Sequence, residues 1–173
     1  MRFMRTIKWT YLVVLAAAAM AVAPGFASPI AVANFSFETL PAGGLPTACS
    51  PVGCSFSATA APGWVTTGAS GQFQLGPLPG PYFDTISDGP THGYSNGGGF
   101  SQTVVPTVQL GMLYVLNVDI GFRLDTIFAG TARLLINGTP YSAVGLTPVQ
   151  GTFGTFTATY TGSAADVGQA ITI

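Results

Sequence analysis

MLYVLNVDIGFR, residues 112–123, sets Tyr114, Leu116, Val118, Ile120 and Phe122 in an unbroken even-numbered apolar row, with Asn117, Asp119 and Arg123 at odd positions. Alternation with period two marks a half-buried strand, so this stretch predicts one face in a core and the other in water. Asp119 and Arg123 would lie about 13 Å apart along such a strand, too far to pair, so each needs a cross-strand neighbour. Arg133 is a candidate partner for Asp119.

The same period recurs on both sides. Ala132, Leu134 and Ile136 point one way before Asn137-Gly138, the dipeptide that accepts positive φ at both positions of a type I′ turn, so a hairpin into 141–146 is expected. Phe156, Ala158 and Tyr160 alternate with Thr155, Thr157, Thr159 and Thr161, which predicts a buried face and a threonine-studded one. Residues 170–173 begin a further strand. Upstream, Gly71–Leu75 and Phe100–Val105 read as strands, and Asn34–Glu38 as a first strand with Phe35 and Phe37 on one face. Trp64, after the turn at Pro62-Gly63, is expected to plug the core rather than serve as a ligand platform. Residues 76–99, rich in Gly and Pro and holding His92, form the least regular stretch. Loops on a rigid scaffold are where binding residues gather, so this segment is expected to border any site.

Twenty-three Gly and thirteen Pro with abundant Thr, Ser and Val describe short strands and tight turns. Eight or more strands with one-sided burial predict an all-β protein: a two-sheet antiparallel jelly-roll β-sandwich.

The chain opens with Arg2, Arg5 and Lys8, an apolar run from Tyr11 to Ala23, and small residues to Ala27. The run is too short for a membrane span of about 20 residues and reads as a helical signal peptide, 1–27, cleaved between Ala27 and Ala33. A single domain over 28–173, secreted or at the cell surface, is therefore expected, with no transmembrane segment in the mature chain. Past residue 27 only Arg123 and Arg133 stand against six acids, a formal balance of −4 with no lysine. Such a surface cannot neutralise a phosphate backbone, which excludes nucleic acid as a partner. Cys49 and Cys54, with four residues between them in an exported chain, predict a disulfide.

No catalytic cluster emerges. Asp84 and Asp88 share a loop, but Ser87-Asp88-Gly89-Pro90 is better read as a turn than as half of a glycosidase carboxylate pair. His92, the only imidazole, reads as a solvated loop residue; no strand–nucleophile–helix elbow surrounds a serine near it. Gly97-Gly98-Gly99 lacks the lysine and helix of a phosphate cradle.

The landmarks NFSFE (34–38), PGW (62–64), DG (88–89), GY (93–94), GGGFSQTV (97–104), LGMLYVLNVDIGFR (110–123) and GTFGTFTATYTG (151–162) come in an order that resembles the galactose-binding-like jelly-roll domain of bacterial PEP-CTERM surface proteins. The resemblance spans about residues 34–173 and implies an exported, non-catalytic module that binds carbohydrate or extracellular polysaccharide, or that mediates surface and matrix contacts. It also implies Glu38 as a ligand of a structural calcium; the acid that would share the ion belongs to a later strand missing from this sequence. Ligand-binding candidates are Tyr82, Tyr94 and Tyr141 as ring platforms, with Asn96, Gln102, Asn117, Asp119 and Arg123 as polar partners. Two alternatives stand beside this reading: a biofilm or matrix subunit that self-associates through strand edges, and a glycoside hydrolase using Asp84 or Asp88.

Overall fold

The structure, a computed structural model, describes residues 28–49 and 53–173; the expected signal peptide lies outside the described residues. Among the described residues twelve strands follow in order: β1 (Thr47–Ala48), β2 (Ser55–Phe56), β3 (Val65–Thr67), β4 (Ser70–Gln74), β5 (Thr91–Ser95), β6 (Gly99–Ser101), β7 (Thr103–Val104), β8 (Leu113–Gly121), β9 (Arg133–Ile136), β10 (Thr139–Ser142), β11 (Phe153–Thr161) and β12 (Ile171–Thr172). All pairings are antiparallel, in the orders β1-β2-β4-β5, β10-β9-β12-β7, β11-β8 and β3-β6. The fold is a jelly-roll β-sandwich. Among the described residues no helix is long and apolar enough to cross a membrane.

The core lies between β10-β9-β12-β7 and the long β8/β11 pair. Leu134, Ile136, Ile171 and Val104 come from the first layer and meet Tyr114, Ala158 and Tyr160 from the second, with Val108 sealing one end. The alternation read in β8 and β11 explains this. β8 pairs with β11 over nine positions, from Leu113↔Thr161 to Gly121↔Phe153, so their apolar rows share a face. On the outer face Thr157 donates to Asn117 Oδ1 at 2.8 Å and Thr155 to Asp119 Oδ1 at 2.6 Å. Asp119 thus takes Thr155 as its neighbour and not Arg133, because β11 and not β9 is the strand beside it. The Asn137-Gly138 turn has φ of 49° and 78° and joins β9 to β10 as its dipeptide dictates.

Three readings of the sequence need correction. Asn34–Glu38 is a turn and not a strand: Asn34 and Phe37 hold φ of 49° and 61°, and the Phe37 N–H reaches back to the Asn34 carbonyl at 3.1 Å. That coil sends Phe35 into solvent and Phe37 inward, stacked on Trp64 at 5.3 Å. The stretch 76–99 contains all of β5, because β4 supplies a ladder from Ser70↔Ser95 to Gln74↔Thr91. His92 is accordingly a strand residue, not a solvated loop residue.

Candidate functional site

The register of β2, β4 and β5 stacks Phe56 beside Phe73 and Phe73 beside His92, all on one face, with Tyr94 two positions along the same side. The rings form a continuous wall: Phe56 to Tyr94 5.9 Å, Tyr94 to Phe73 6.5 Å, and Phe73 to Tyr82 5.8 Å, each near edge-to-face. All four are half-buried. Behind them Phe83, Phe153 and His92 stack in turn, with centroids 4.7 Å and 5.1 Å apart. Gly121 makes room for this stack, since a Cβ there would lie 2.7 Å from both the Phe153 and Phe83 rings.

Three loops close the Tyr82 end. Arg123 lies over the Tyr82 ring, 4.5 Å from its centroid, and chelates Asp125 at 2.8 and 2.6 Å. The ion pair is open to water and contributes at most about 1 kcal/mol, so its value is positional. The Leu124 N–H bonds the Tyr82 carbonyl at 2.9 Å, the Asp84 N–H bonds the Gly151 carbonyl at 2.8 Å, and Gln150 Nε2 donates to the Leu124 carbonyl at 2.8 Å.

His92 is the imidazole packed against the wall, stacked on Phe153. Neither ring nitrogen has a hydrogen-bond partner of good geometry among the described residues. Burial lowers its pKa below the ordinary 6.5, against the opposing pull of Glu38, Asp88 and the Pro90 carbonyl. The unfolded chain therefore takes up a proton before the folded one does. Stability is full above pH 6.5 and falls as pH drops below it through the folded-state value. His92→Phe is expected to flatten the denaturation midpoint between about pH 7 and about pH 5, where the unchanged protein loses stability. Equal slopes in both proteins would contradict the assignment. Burial likewise raises the Tyr94 hydroxyl, which donates to the Ser57 carbonyl at 3.1 Å.

Of the residues singled out from sequence, the structure brings Tyr82, Tyr94 and Arg123 together. Asn96 sits exposed just past β5. Gln102 is a brace, its amide bonding the Ala33 N–H at 2.7 Å and the Ala33 and Gly63 carbonyls at 3.0 and 2.6 Å. Asn117 and Asp119 lie on the outer face of β8, and Tyr141 packs on Tyr160 at 4.7 Å, away from the wall. Phe56, Phe73, His92, Phe83 and Phe153 were missed. The alternation in Gly71–Leu75 marks Phe73 as strand-borne, but no sequence signal sets β2, β4 and β5 side by side. Cys49 and Cys54 are bonded, with Cα atoms 5.1 Å apart.

Glu38 is tied into the fold by a backbone hydrogen bond. Its Oε1 accepts the Thr91 N–H at 3.0 Å, and among the described residues no three His, Cys, Asp or Glu side chains converge. A hard cation takes six or more oxygens, backbone carbonyls included, and no chemistry is routed through one here. A depression of about 440 Å³ lies beside Trp64, Pro41 and Pro62. No titratable side chain lines it, and the Trp64 N–H is spent on the Asn34 carbonyl at 3.1 Å. The aromatic wall is the better candidate.

The family model described as HpiC1-like, HpiC1 cyclase, matches residues 28–173. The chain belongs to the HpiC1-like cyclase family. Solved structures share its fold. A Stig cyclase, Fisc, from Fischerella sp. TAU, bound to (3Z)-3-(1-methyl-2-pyrrolidinylidene)-3H-indole, aligns with TM-score 0.62 and 20% identity over 83% of this chain and 84% of that one. A cyclase from the same organism, bound to 4-(1H-indol-3-yl)butan-2-one, aligns with TM-score 0.63 and 20% identity over 84% and 86%. No curated protein matches the sequence.

Membership in the HpiC1-like family overturns the resemblance to PEP-CTERM galactose-binding-like surface proteins, and with it the non-catalytic, carbohydrate-binding reading and polysaccharide as the partner. The landmarks that carried the resemblance are shared framework: Pro62-Gly63-Trp64 and the β8 and β11 alternation report how a jelly roll packs, not what it does.

Proposed function

We propose that the protein is a small-molecule cyclase acting on a substrate with an indole-type ring, held against the wall of Phe56, Tyr94, Phe73 and Tyr82. The observation that supports this is the wall itself: four half-buried rings in unbroken, near edge-to-face contact, ending at a guanidinium fixed over Tyr82. Flat aromatic ligands stack on such faces, and ring faces stabilise positive charge that develops as a π-bond is attacked. The indole ligands of the Fischerella cyclases are of this chemical class. The wall contributes binding, orientation and exclusion of water. The leader makes the cyclase an exported one in this reading.

Ring closure without a leaving group is an isomerisation, so the product has the substrate's mass and a different chromatographic mobility. An indole bearing an unsaturated side arm is expected to be converted in this way by the full-length protein. With 4-(1H-indol-3-yl)butan-2-one as a binding probe, Tyr82→Ala is expected to weaken affinity about tenfold, the loss of roughly 1.4 kcal/mol of stacking. Calorimetry giving the same affinity for both proteins would overturn the placement of the site.

A further inference from the structure

All six acids of the chain lie past residue 27, and the fold gives four of their carboxylates a partner. Glu38 accepts the Thr91 N–H, Asp119 the Thr155 hydroxyl, and Asp166 the hydroxyls of Tyr160 and Ser163. Asp125 is chelated by Arg123. Asp88, in the turn before β5, acts on His92 behind the wall. Asp84 remains. Its N–H is fixed on the Gly151 carbonyl at 2.8 Å, but among the described residues its exposed carboxylate accepts no hydrogen bond and pairs with no cation.

Its position puts that charge at the closed end of the wall. Asp84 is two residues from Tyr82, so their Cα atoms are at most about 7 Å apart. The carboxylate lies against Gly151 and Leu124: a Cβ on Gly151 would stand 2.5 Å from Asp84 Oδ2 and 3.0 Å from Leu124 Cδ2. Leu124 is the residue whose N–H bonds the Tyr82 carbonyl. Gly151, at φ 83°, leaves the carboxylate the space that a side chain would take.

The charges here do not cancel. Arg123 and Asp125 neutralise each other, and the other described cation, Arg133, belongs to β9. Asp84 therefore leaves this end negative, next to rings whose faces attract positive charge. We infer that the substrate's side arm carries a nitrogen protonated at neutral pH, and that Asp84 is its counter-ion. This rests on the wall being the cyclase site and names the class of indole it takes: one that stacks its ring on the wall and directs an ammonium or iminium at Asp84. A neutral arm gains nothing from the carboxylate, and an anionic arm is repelled by it.

The ketone probe has a matched cation, 4-(1H-indol-3-yl)butan-2-amine, with the same skeleton and an alkyl ammonium of pKa about 10. Calorimetry on the full-length protein at low salt is expected to show the amine binding about fivefold more tightly than the ketone, the effect of about 1 kcal/mol for an ion pair open to water. Salt at about 0.5 M is expected to remove most of that preference. Asp84→Asn is expected to abolish it while leaving ketone affinity unchanged, which also shows the variant's wall intact. Asp119→Asn removes the same charge from the outer face of β8 and is expected to keep the preference. Equal affinities for the two probes, or a preference that survives Asp84→Asn, would overturn the counter-ion, and ketone binding that depends on Tyr82 would leave the wall standing. Ketone binding indifferent to Tyr82→Ala would remove the site itself, and the counter-ion with it.

Discussion

Ile136→Ala is expected to destabilise the protein by about 4 kcal/mol and to lower its melting temperature by about 10 °C. Ile136 is 1% exposed in β9, which is flanked by β10 and β12, and it pairs with Ile171, itself 1% exposed. Removing three buried carbons there forfeits their transfer free energy and leaves a cavity. Leu134, Ala158 and Tyr160 belong to the same cluster and are held by ladders on both layers, so collapse into the gap is restricted. Thermal and urea unfolding of the two proteins measure the difference. A cost below about 1 kcal/mol would mean that the two layers are not packed through this residue.

Gln72→Ala is the second large effect, expected at about 3 kcal/mol. Gln72 is fully buried in β4, an unusual place for an amide, and the N-terminal coil explains it. Its Nε2 donates to the carbonyls of Phe37 and Thr39, the latter at 2.9 Å. The left-handed turn at Asn34–Phe37 leaves those carbonyls without strand partners. Truncation to alanine leaves the Phe37 carbonyl without a partner, at about 1–3 kcal/mol when unsatisfied, and a cavity in place of the side chain, while the Thr39 carbonyl keeps the Asn34 amide at 3.1 Å. The effect should be local as well as global: backbone amides from Phe37 to Thr39 are expected to exchange faster than those of β9 and β12. Uniform acceleration across both layers would contradict this role.

The sandwich was legible because strand alternation is a local property. Tyr114, Ala158, Tyr160, Leu134 and Ile136 could each be placed inward from their neighbours two positions away, and Asn137-Gly138 announces its turn without any knowledge of the rest. The N-terminal coil was not legible for a physical reason. Asn34–Glu38 alternates as a strand does, but the buried amide of Gln72, 35 positions from Phe37 in the sequence, satisfies the carbonyls that a coil leaves free. His92 was misread likewise, since its burial depends on Phe153 arriving from β11.

The site was half legible. Tyr82, Tyr94 and Arg123 stood out as rings and a cation near an irregular segment, and long-range pairing brings them together. Phe56 and Phe73 look like ordinary strand residues, and their part in the wall exists only because β2, β4 and β5 are neighbours. Function was the least legible of all. An aromatic wall on a jelly roll suits a sugar or another flat ligand alike at the level of residue type, and it is the family match over 28–173 that places the chain among cyclases and not binding modules.

The most direct test is nuclear magnetic resonance mapping of the indole probe on the isotopically labelled full-length protein. The largest shift changes are expected at the ring and backbone signals of Phe73, Tyr82 and Tyr94, with smaller ones at Arg123. Changes confined to Trp64 and the Pro41–Pro62 depression, or none at millimolar probe, would contradict the assignment of the wall as the cyclase site.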